Sequence, residues 1–315
     1  MTETPDLFAS TDAPSTVQSL RHQIDSDVRH PESSPTESAT QTVIEGDCLT
    51  EMRRLPDRSA KAIVTSPPYN LGKKYSLHRD DMPEADYLAW QGQCACEIAR
   101  ILHPDGHLFL NVGSDTKHPW NAIEVAKTYG RHLTLQQTII WAKSLALDAS
   151  SIPEPALQRA LHERTFGHFV SLNSECQLNP TWEPLFHFSP TGRSPINRLA
   201  IGVPYVYKDQ PARFGHHRSV HCRGNVWHVP YETTQSRADR DHHPATFPLK
   251  LAELCLLLAD LKPGKLALDP FAGIGSTLLA AQCLNVRVIG IEIDPSYCAA
   301  ARRRLKEAAE TAGQI

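Results

Sequence analysis

No apolar run in this 315-residue chain reaches the roughly 20 residues that a membrane-crossing helix needs, and no apolar segment follows the N-terminus as in a secretory leader. The eight cysteines are scattered without the spacing of a disulfide framework, so reduced thiols and a soluble cytoplasmic protein are expected. A strong excess of either charge is missing too. Thirty-two Lys and Arg face 35 Asp and Glu, and a net charge of −3 taken alone argues against a nucleic-acid binder. The distribution points the other way. Residues 1–40 carry seven acids against two bases, so the remainder of the chain is +2. Within 190–245, eight Arg or Lys stand against four acids, with six His besides.

Large apolar residues are scarce in residues 1–40, which are rich in Ser, Thr, Pro, Asp and Glu. Such a stretch cannot bury enough surface to offset its ordering entropy, and a disordered acidic tail is expected there. Beyond it, strands and helices alternate. Thr42–Asp47 reads as a short strand, 48–55 as a helix and Ala60–Thr65 as a buried strand. Asp86–Leu102 reads as an amphipathic helix with Leu88, Cys94, Ile98, Ala99 and Leu102 on one side, stopped by His103-Pro-Asp-Gly106. A strand over His107–Val112, a helix near 119–129 and a strand over Gln136–Trp141 continue the pattern. It breaks over Lys143–Phe169, resumes at Thr181–Phe188, and a helix is predicted at about 249–260. The alternation predicts an α/β fold with a doubly wound, mostly parallel sheet. The predicted division is a tail over 1–40, one half of the domain over 41–188, an inserted substrate-contacting region over 189–228 and a second half over 229–315.

The chain is organised around Leu266–Thr277, where an apolar strand ends in Asp269 and a loop with Gly273 and Gly275 enters a helix. The next strand, Arg287–Glu292, ends in a carboxylate about 20 residues past the loop, the position from which an acid bonds ribose hydroxyls. Two absences narrow the ligand. The third glycine of a dinucleotide fingerprint is replaced by Leu278, and no Arg or Lys lies near the loop to meet phosphates. S-adenosylmethionine fits these constraints, with its amino group at Asp269, its ribose at Glu292 and no phosphate anywhere.

The strand Ala60–Thr65 runs directly into Ser66-Pro67-Pro68-Tyr69. Two prolines at a strand end give a rigid, extended backbone. Ser66 Oγ and the Pro67 carbonyl are candidate acceptors for the hydrogens of an aromatic amine, whose delocalised lone pair makes it a poor nucleophile until it pyramidalises. Tyr69 is a candidate stacking platform for a base taken out of a duplex.

These pieces resemble the permuted group of amino-methylating DNA methyltransferases, in which the catalytic Pro-Pro-Tyr motif precedes the cofactor loop. The resemblance covers about 42–305. It implies a methyltransferase (Rossmann-like) fold of the S-adenosylmethionine-dependent type, with residues 189–228 recognising the target. Ser66, Pro67, Pro68 and Tyr69 match the catalytic motif. Asp269, Phe271, Ala272, Gly273, Gly275, Ser276 and Thr277 match the cofactor loop, and Glu292 with Ile293 the ribose-binding end. Gly46, Asp47 and Cys48 match the adenine-contacting turn, with Thr65 beside the cofactor. The segment His243–Pro248, with His243, Pro244 and Phe247, matches the part that closes over the methionine end. Ser at the head of the motif resembles the cytosine-N4 subgroup more than most adenine-N6 enzymes. No Pro-Cys dipeptide occurs, which disfavours the carbon-5 cytosine methyltransferases.

Double-stranded DNA is the implied partner, placing the protein at the nucleoid, and Arg193, Arg198, Lys208, Arg213, Arg218 and Arg223 are the candidate contacts. A homodimer and a cognate restriction endonuclease are left open as further partners. His216, His217, His221 and Cys222 have the residue types of a zinc site but no standard spacing, so no metal is expected. Cys94 and Cys96 diverge on a helix and read as core. Two other readings compete: a non-catalytic DNA-binding protein on a decayed methyltransferase fold, and a nicotinamide-dependent oxidoreductase. The intact Ser66–Tyr69 and three carboxylates argue against the first, and the missing glycine against the second.

Overall fold

The computed structural model describes residues 40–147, 164–167, 174–205, 220–230 and 247–312. Residues 1–39 of the predicted tail, Lys208, Arg213, Arg218, His216, His217, His243 and Pro244 lie outside the described residues. In chain order the first elements are β1 (Gln41–Glu45), α1 (Cys48–Arg54), β2 (Ala60–Thr65), α2 (Glu84–Ile101), β3 (Leu102–Asn111), α3 (Asn121–Tyr129) and β4 (Thr134–Ala142). Short strands follow, β5 (Ser144–Leu147) and β6 (Arg164–Gly167), then β7 (Trp182–Ser189), β8 (Val203–Pro204), β9 (Val220–His221) and β10 (Val226–His228). The chain continues with α4 (Leu249–Leu258), β11 (Leu266–Asp269), α5 (Ser276–Cys283), β12 (Arg287–Glu292) and α6 (Pro295–Ala312).

Eight strands form one sheet in the order β1-β12-β11-β2-β3-β7-β4-β10. Only the pairings of β7, with β3 and with β4, are antiparallel within it. The mostly parallel, doubly wound reading therefore holds. Both faces are covered at the centre of the sheet, as β2 shows. Ile63 of β2 joins a core with Met52 of α1, Ile98 of α2 and Val125 of α3. Its neighbours Ala62 and Val64 join a second core with Leu254 of α4 and Ala280 of α5. A strand buried on both faces needs apolar residues at successive positions, which is why β2 reads as a continuous run.

The chain leaves β2 through α2 toward β3 and leaves β11 through α5 toward β12, in opposite directions across the sheet and on opposite faces. β11 and β2 are adjacent and parallel. The boundary between them is the topological switch point, where an open α/β sheet leaves a crevice beyond its strand ends.

Several expectations shift in detail. The helix predicted from Asp86 begins at Glu84, and its buried face includes Gln91, which accepts from the Tyr129 hydroxyl and donates to that of Tyr87. His103–Gly106 does not separate helix from strand: β3 starts at Leu102, and its register with β2 jumps from Leu102 to His107. The His-Pro-Asp-Gly stretch is an excursion within the strand. Val226–His228, predicted within the insert, pairs in parallel with β4 at the sheet edge. The buried indoles of Trp141 and Trp227 fasten that edge by donating to the Val229 and Gly224 carbonyls. Cys94 is buried, whereas Cys96 is exposed.

Candidate active site

Four adjacent strands, β1, β12, β11 and β2, bring the predicted residues to one edge of the sheet. Asp47 lies two residues past β1, Glu292 ends β12, Asp269 ends β11, Thr65 ends β2 and Ser66 follows it. The Gly46 N–H donates to the Glu292 carbonyl at 2.9 Å, which ties the first two of these ends together.

Asp269 is 1% exposed. Its Oδ1 accepts from the Thr65 hydroxyl (2.8 Å) and the Phe271 N–H (3.1 Å), and its Oδ2 accepts from the Thr277 hydroxyl (2.7 Å). Burial pushes its carboxyl up to about 6, against the lowering effect of Thr277, Thr65 and the Phe271 N–H. The carboxylate thus shapes the loop as well as offering a charge, a role its sequence position did not disclose. Every partner just named is neutral, and Oδ2 retains a lone pair. A buried anion so placed is completed by a cationic group such as an ammonium.

Glu292 is half-buried. Its Oε2 accepts from the Gly273 N–H (2.8 Å) and its Oε1 from the Asp294 N–H (2.9 Å), and burial raises its carboxyl above the usual range. Each oxygen keeps acceptor capacity for a diol. The loop itself needs glycine at position 275, where φ is 85° and an added Cβ would sit 3.1 Å from Ala301 Cβ. Gly290 lets α5 pack on β12, because a Cβ there would stand 2.5 Å from Leu278 Cδ1. Ala272, Ser276 and Thr277 are buried, Phe271 meets Trp90 edge-on at 5.6 Å, and Ile293 is exposed. Cys48 is buried behind Asp47, which caps α1 by accepting from Thr50 N and Thr50 Oγ1, both at 2.9 Å. Phe247 packs against the second core. Among the described residues neither carboxylate, Asp269 or Glu292, pairs with a Lys or Arg, and the cation that reaches the loop, Arg304, donates its Nη1 to the Ile274 carbonyl. Two acceptor groups so placed fit an amino and ribose ligand better than a phosphate.

Ser66 and Tyr69 belong to a network that the sequence did not reveal. Their oxygens are 3.0 Å apart, and the Tyr69 hydroxyl also lies 2.9 Å from Asn111 Oδ1 and 3.3 Å from Glu183 Oε2. Asn111 Nδ2 donates to the Pro184 carbonyl and to Glu183 Oε2, which turns its own oxygen toward Tyr69. Lys143 pairs with Glu183. The main chain of the motif is held as firmly: the Tyr87 hydroxyl donates to the Pro68 carbonyl and Asn121 Nδ2 to the Tyr69 carbonyl, both at 2.9 Å. Gly113 makes room for the Tyr69 ring, since a Cβ there would lie 2.8 Å from Tyr69 Cε2. Beyond the motif, buried Asp80 accepts from the N–H groups of Asn70, Leu71 and Lys73 and so closes the loop over 70–80. One signal could have disclosed Asn111: like Asp269 and Glu292, it is a polar residue ending an apolar strand.

A family model described as DNA methylase (N6/N4 type) matches residues 60–303. The chain belongs to this S-adenosylmethionine-dependent DNA methylase family. The methylase is 27% identical over 266 residues to the DNA adenine methyltransferase YhdJ of Escherichia coli K12, covering 84% of this chain and 82% of that one. It is also 27% identical over 302 residues to the type II methyltransferase M.XycI of Xanthomonas campestris pv. cyanopsidis, covering 84% and 87%. Among solved structures, the cytosine-N4-specific PvuII DNA methyltransferase superposes with a TM-score of 0.62 at 18% identity, over 87% of this chain and 91% of that one. A DNA modification methylase from Thermus thermophilus, solved with S-adenosyl-L-methionine, gives 0.54 at 21% identity, over 85% and 94%. These two likenesses bear on the fold.

Of the arginines predicted to meet DNA, Arg193 and Arg198 are exposed. Arg223 is half-buried and its Nε donates to the Ile201 carbonyl at 3.0 Å, so part of its guanidinium braces the loop it stands on.

Proposed function

We propose that this methylase transfers a methyl group to the exocyclic N4 amine of cytosine in duplex DNA, on a base rotated out of the helix. The observation that carries the reading is Ser66-Pro-Pro-Tyr69 at the end of β2, hydrogen-bonded through Thr65 to the Asp269 loop at the switch point. Asp269 would hold the amino group of S-adenosylmethionine and Glu292 its ribose, with Asp47 and Cys48 beside the adenine. The cofactor supplies an electrophilic methyl on a sulfonium. Ser66 Oγ and the Pro67 carbonyl accept the hydrogens of the amine and favour its pyramidal form. Because Tyr69 OH can donate to Asn111, it can accept from Ser66, which leaves the Ser66 lone pairs for the amine. The half-exposed Tyr69 ring stacks on the extruded base. Arg193 and Arg198 would contact DNA, and Arg223 would add a contact from the part of its guanidinium that Ile201 leaves.

A second reading is transfer to the N6 amine of adenine, and the likeness to the adenine methyltransferase YhdJ favours it. The type II relatives support a restriction-modification setting. Modification-resolved sequencing of DNA from cells expressing the chain tests both readings, since it reports the base, its position and its sequence context. Methylated cytosines within one recurring site are expected. DNA carrying no new methylation would overturn the function.

A further inference from the structure

Among the described residues, Trp120 is 70% exposed at the very start of α3. A single exposed apolar side chain is ordinary on a protein surface. Three features set this one apart. Its loop is built rather than loose: Ser114 Oγ accepts from the Ala122 N–H at 3.0 Å, and Asp115 Oδ1 accepts from the N–H groups of Lys117 (2.9 Å) and His118 (2.7 Å). Both ends of the loop are fastened to the catalytic motif. Gly113 packs on the Tyr69 ring, and Asn121 donates to the Tyr69 and Gly113 carbonyls. The loop also follows the end of β3, the strand beside β2, so it borders Ser66 on the edge of the sheet where a duplex would arrive. Lys117 is exposed three residues before the indole, and Ile123, 43% exposed, three residues after it.

We propose that Trp120 is the duplex-side wedge of this enzyme, stacking within the helix at the gap from which the target base is withdrawn. The inference rests on the base-extruding reading given above. Removing a base from the helix forfeits stacking on both neighbours and leaves its partner unpaired, which is costly. Apolar side chains inserted at a base step offset such losses in proteins that deform DNA, and an indole has the largest face available for it. Lys117 would neutralise a nearby phosphate while the indole enters. Tyr69 and Trp120 then divide the task, one receiving the extruded base and the other occupying the place it left. Because Asn121 ties the two segments, insertion and reception are held in one register.

The test compares Trp120→Ala with the unchanged protein on two duplexes carrying the recognised site, one fully paired and one with a mismatch opposite the target base. A mismatched base is already loosened, so it needs little help to leave. Transfer to the paired duplex should fall by about 10- to 100-fold, and transfer to the mismatched duplex by less than about threefold. Trp120→Phe should restore most of the loss. Sedimentation should give the same mass for variant and unchanged protein. Equal losses on both duplexes, no loss on either, or a changed mass showing that a second copy covers Trp120 would each overturn the wedge. If the unchanged protein methylated no base amine at all, the function reading itself would fall, and the wedge with it.

Discussion

The Thr65 hydroxyl donates to Asp269 Oδ1 across 2.8 Å, joining the end of β2 to the end of β11 at the sheet's switch point. Residue 65 precedes the Ser-Pro-Pro-Tyr motif, and residue 269 opens the glycine loop. One hydrogen bond therefore spans the two halves of the candidate site, although 204 positions separate its partners in sequence. It sets the Ser66–Tyr69 motif and the glycine loop in a fixed relation, the preorganisation that the proposed transfer between two bound molecules requires.

Ser66→Ala should slow methyl transfer by about 10²–10³ while leaving cofactor affinity nearly intact, by analogy with losing one preorganised transition-state partner. Tyr69→Phe removes the hydroxyl that accepts a hydrogen bond from Ser66 but keeps the ring. It should lower the turnover rate with little change in DNA affinity, whereas Tyr69→Ala should weaken binding of the extruded base by about 1–3 kcal/mol. Single-turnover kinetics beside DNA titrations separate these outcomes. Equal effects of the two Tyr69 substitutions on affinity would count against the stacking role.

Asp269→Asn should raise stability at neutral pH and abolish cofactor binding together. The folded carboxyl titrates near 6, above its unfolded value of 3.8. The native state thus holds its proton more tightly, and stability declines as pH rises through that window. Ionised burial costs on the order of 2–3 kcal/mol by pH 7. A raised melting temperature at pH 7, with no further upward shift on adding S-adenosylmethionine, is the expected calorimetric result. A preserved cofactor shift would remove Asp269 from the site.

Glu292→Ala should weaken cofactor binding by roughly 1.5–3 kcal/mol, the usual range for hydrogen bonds to a charged group. It also strips the Gly273 N–H of its acceptor, so the loop should loosen. Titration calorimetry reads the affinity directly, and an unchanged value would refute the ribose assignment.

Two histidines meet in the buried centre of the sheet. His107 Nδ1 and His187 Nε2 are 3.0 Å apart, Gln137 Nε2 lies 3.1 Å from His187 Nδ1, and His187 stacks on Phe109 at 4.5 Å. Burial is the main cause that lowers His107 to about 4 and His187 to about 3. Both are neutral in the folded state, and the unfolded chain binds protons near 6.5. Their contribution is present in full above 6.5 and is lost as pH falls toward 4. Over that range it opposes the trend from Asp269 and outnumbers it two groups to one. The urea midpoint should therefore fall on going from pH 7 to pH 5, and His187→Gln should flatten the fall. A midpoint that rose instead would mean that the pair is solvated.

Much of the architecture was legible because it rests on local pattern. The continuous apolar runs of β2 and β3, the glycine loop and the carboxylates closing β11 and β12 all follow from the period and chemistry of neighbouring residues. What escaped depends on pairing across the sheet. Glu183 and Lys143 look like ordinary charges flanking strands until β7 turns antiparallel between β3 and β4 and brings Glu183 against Tyr69. His187 reads as one polar residue in an apolar strand, and only its register opposite Phe109 shows that it is buried. Asp269 was legible as a charge, but not as the organiser of its own loop, because its partners Thr65 and Thr277 lie on different elements.

Digesting DNA methylated by the purified chain to nucleosides, with labelled S-adenosylmethionine as donor, tests the central claim most directly. The label is expected in N4-methylcytosine. Label in N6-methyladenine would contradict the choice of base while keeping the amine chemistry, and label in 5-methylcytosine would contradict the mechanism built on Ser66, Pro67 and Tyr69.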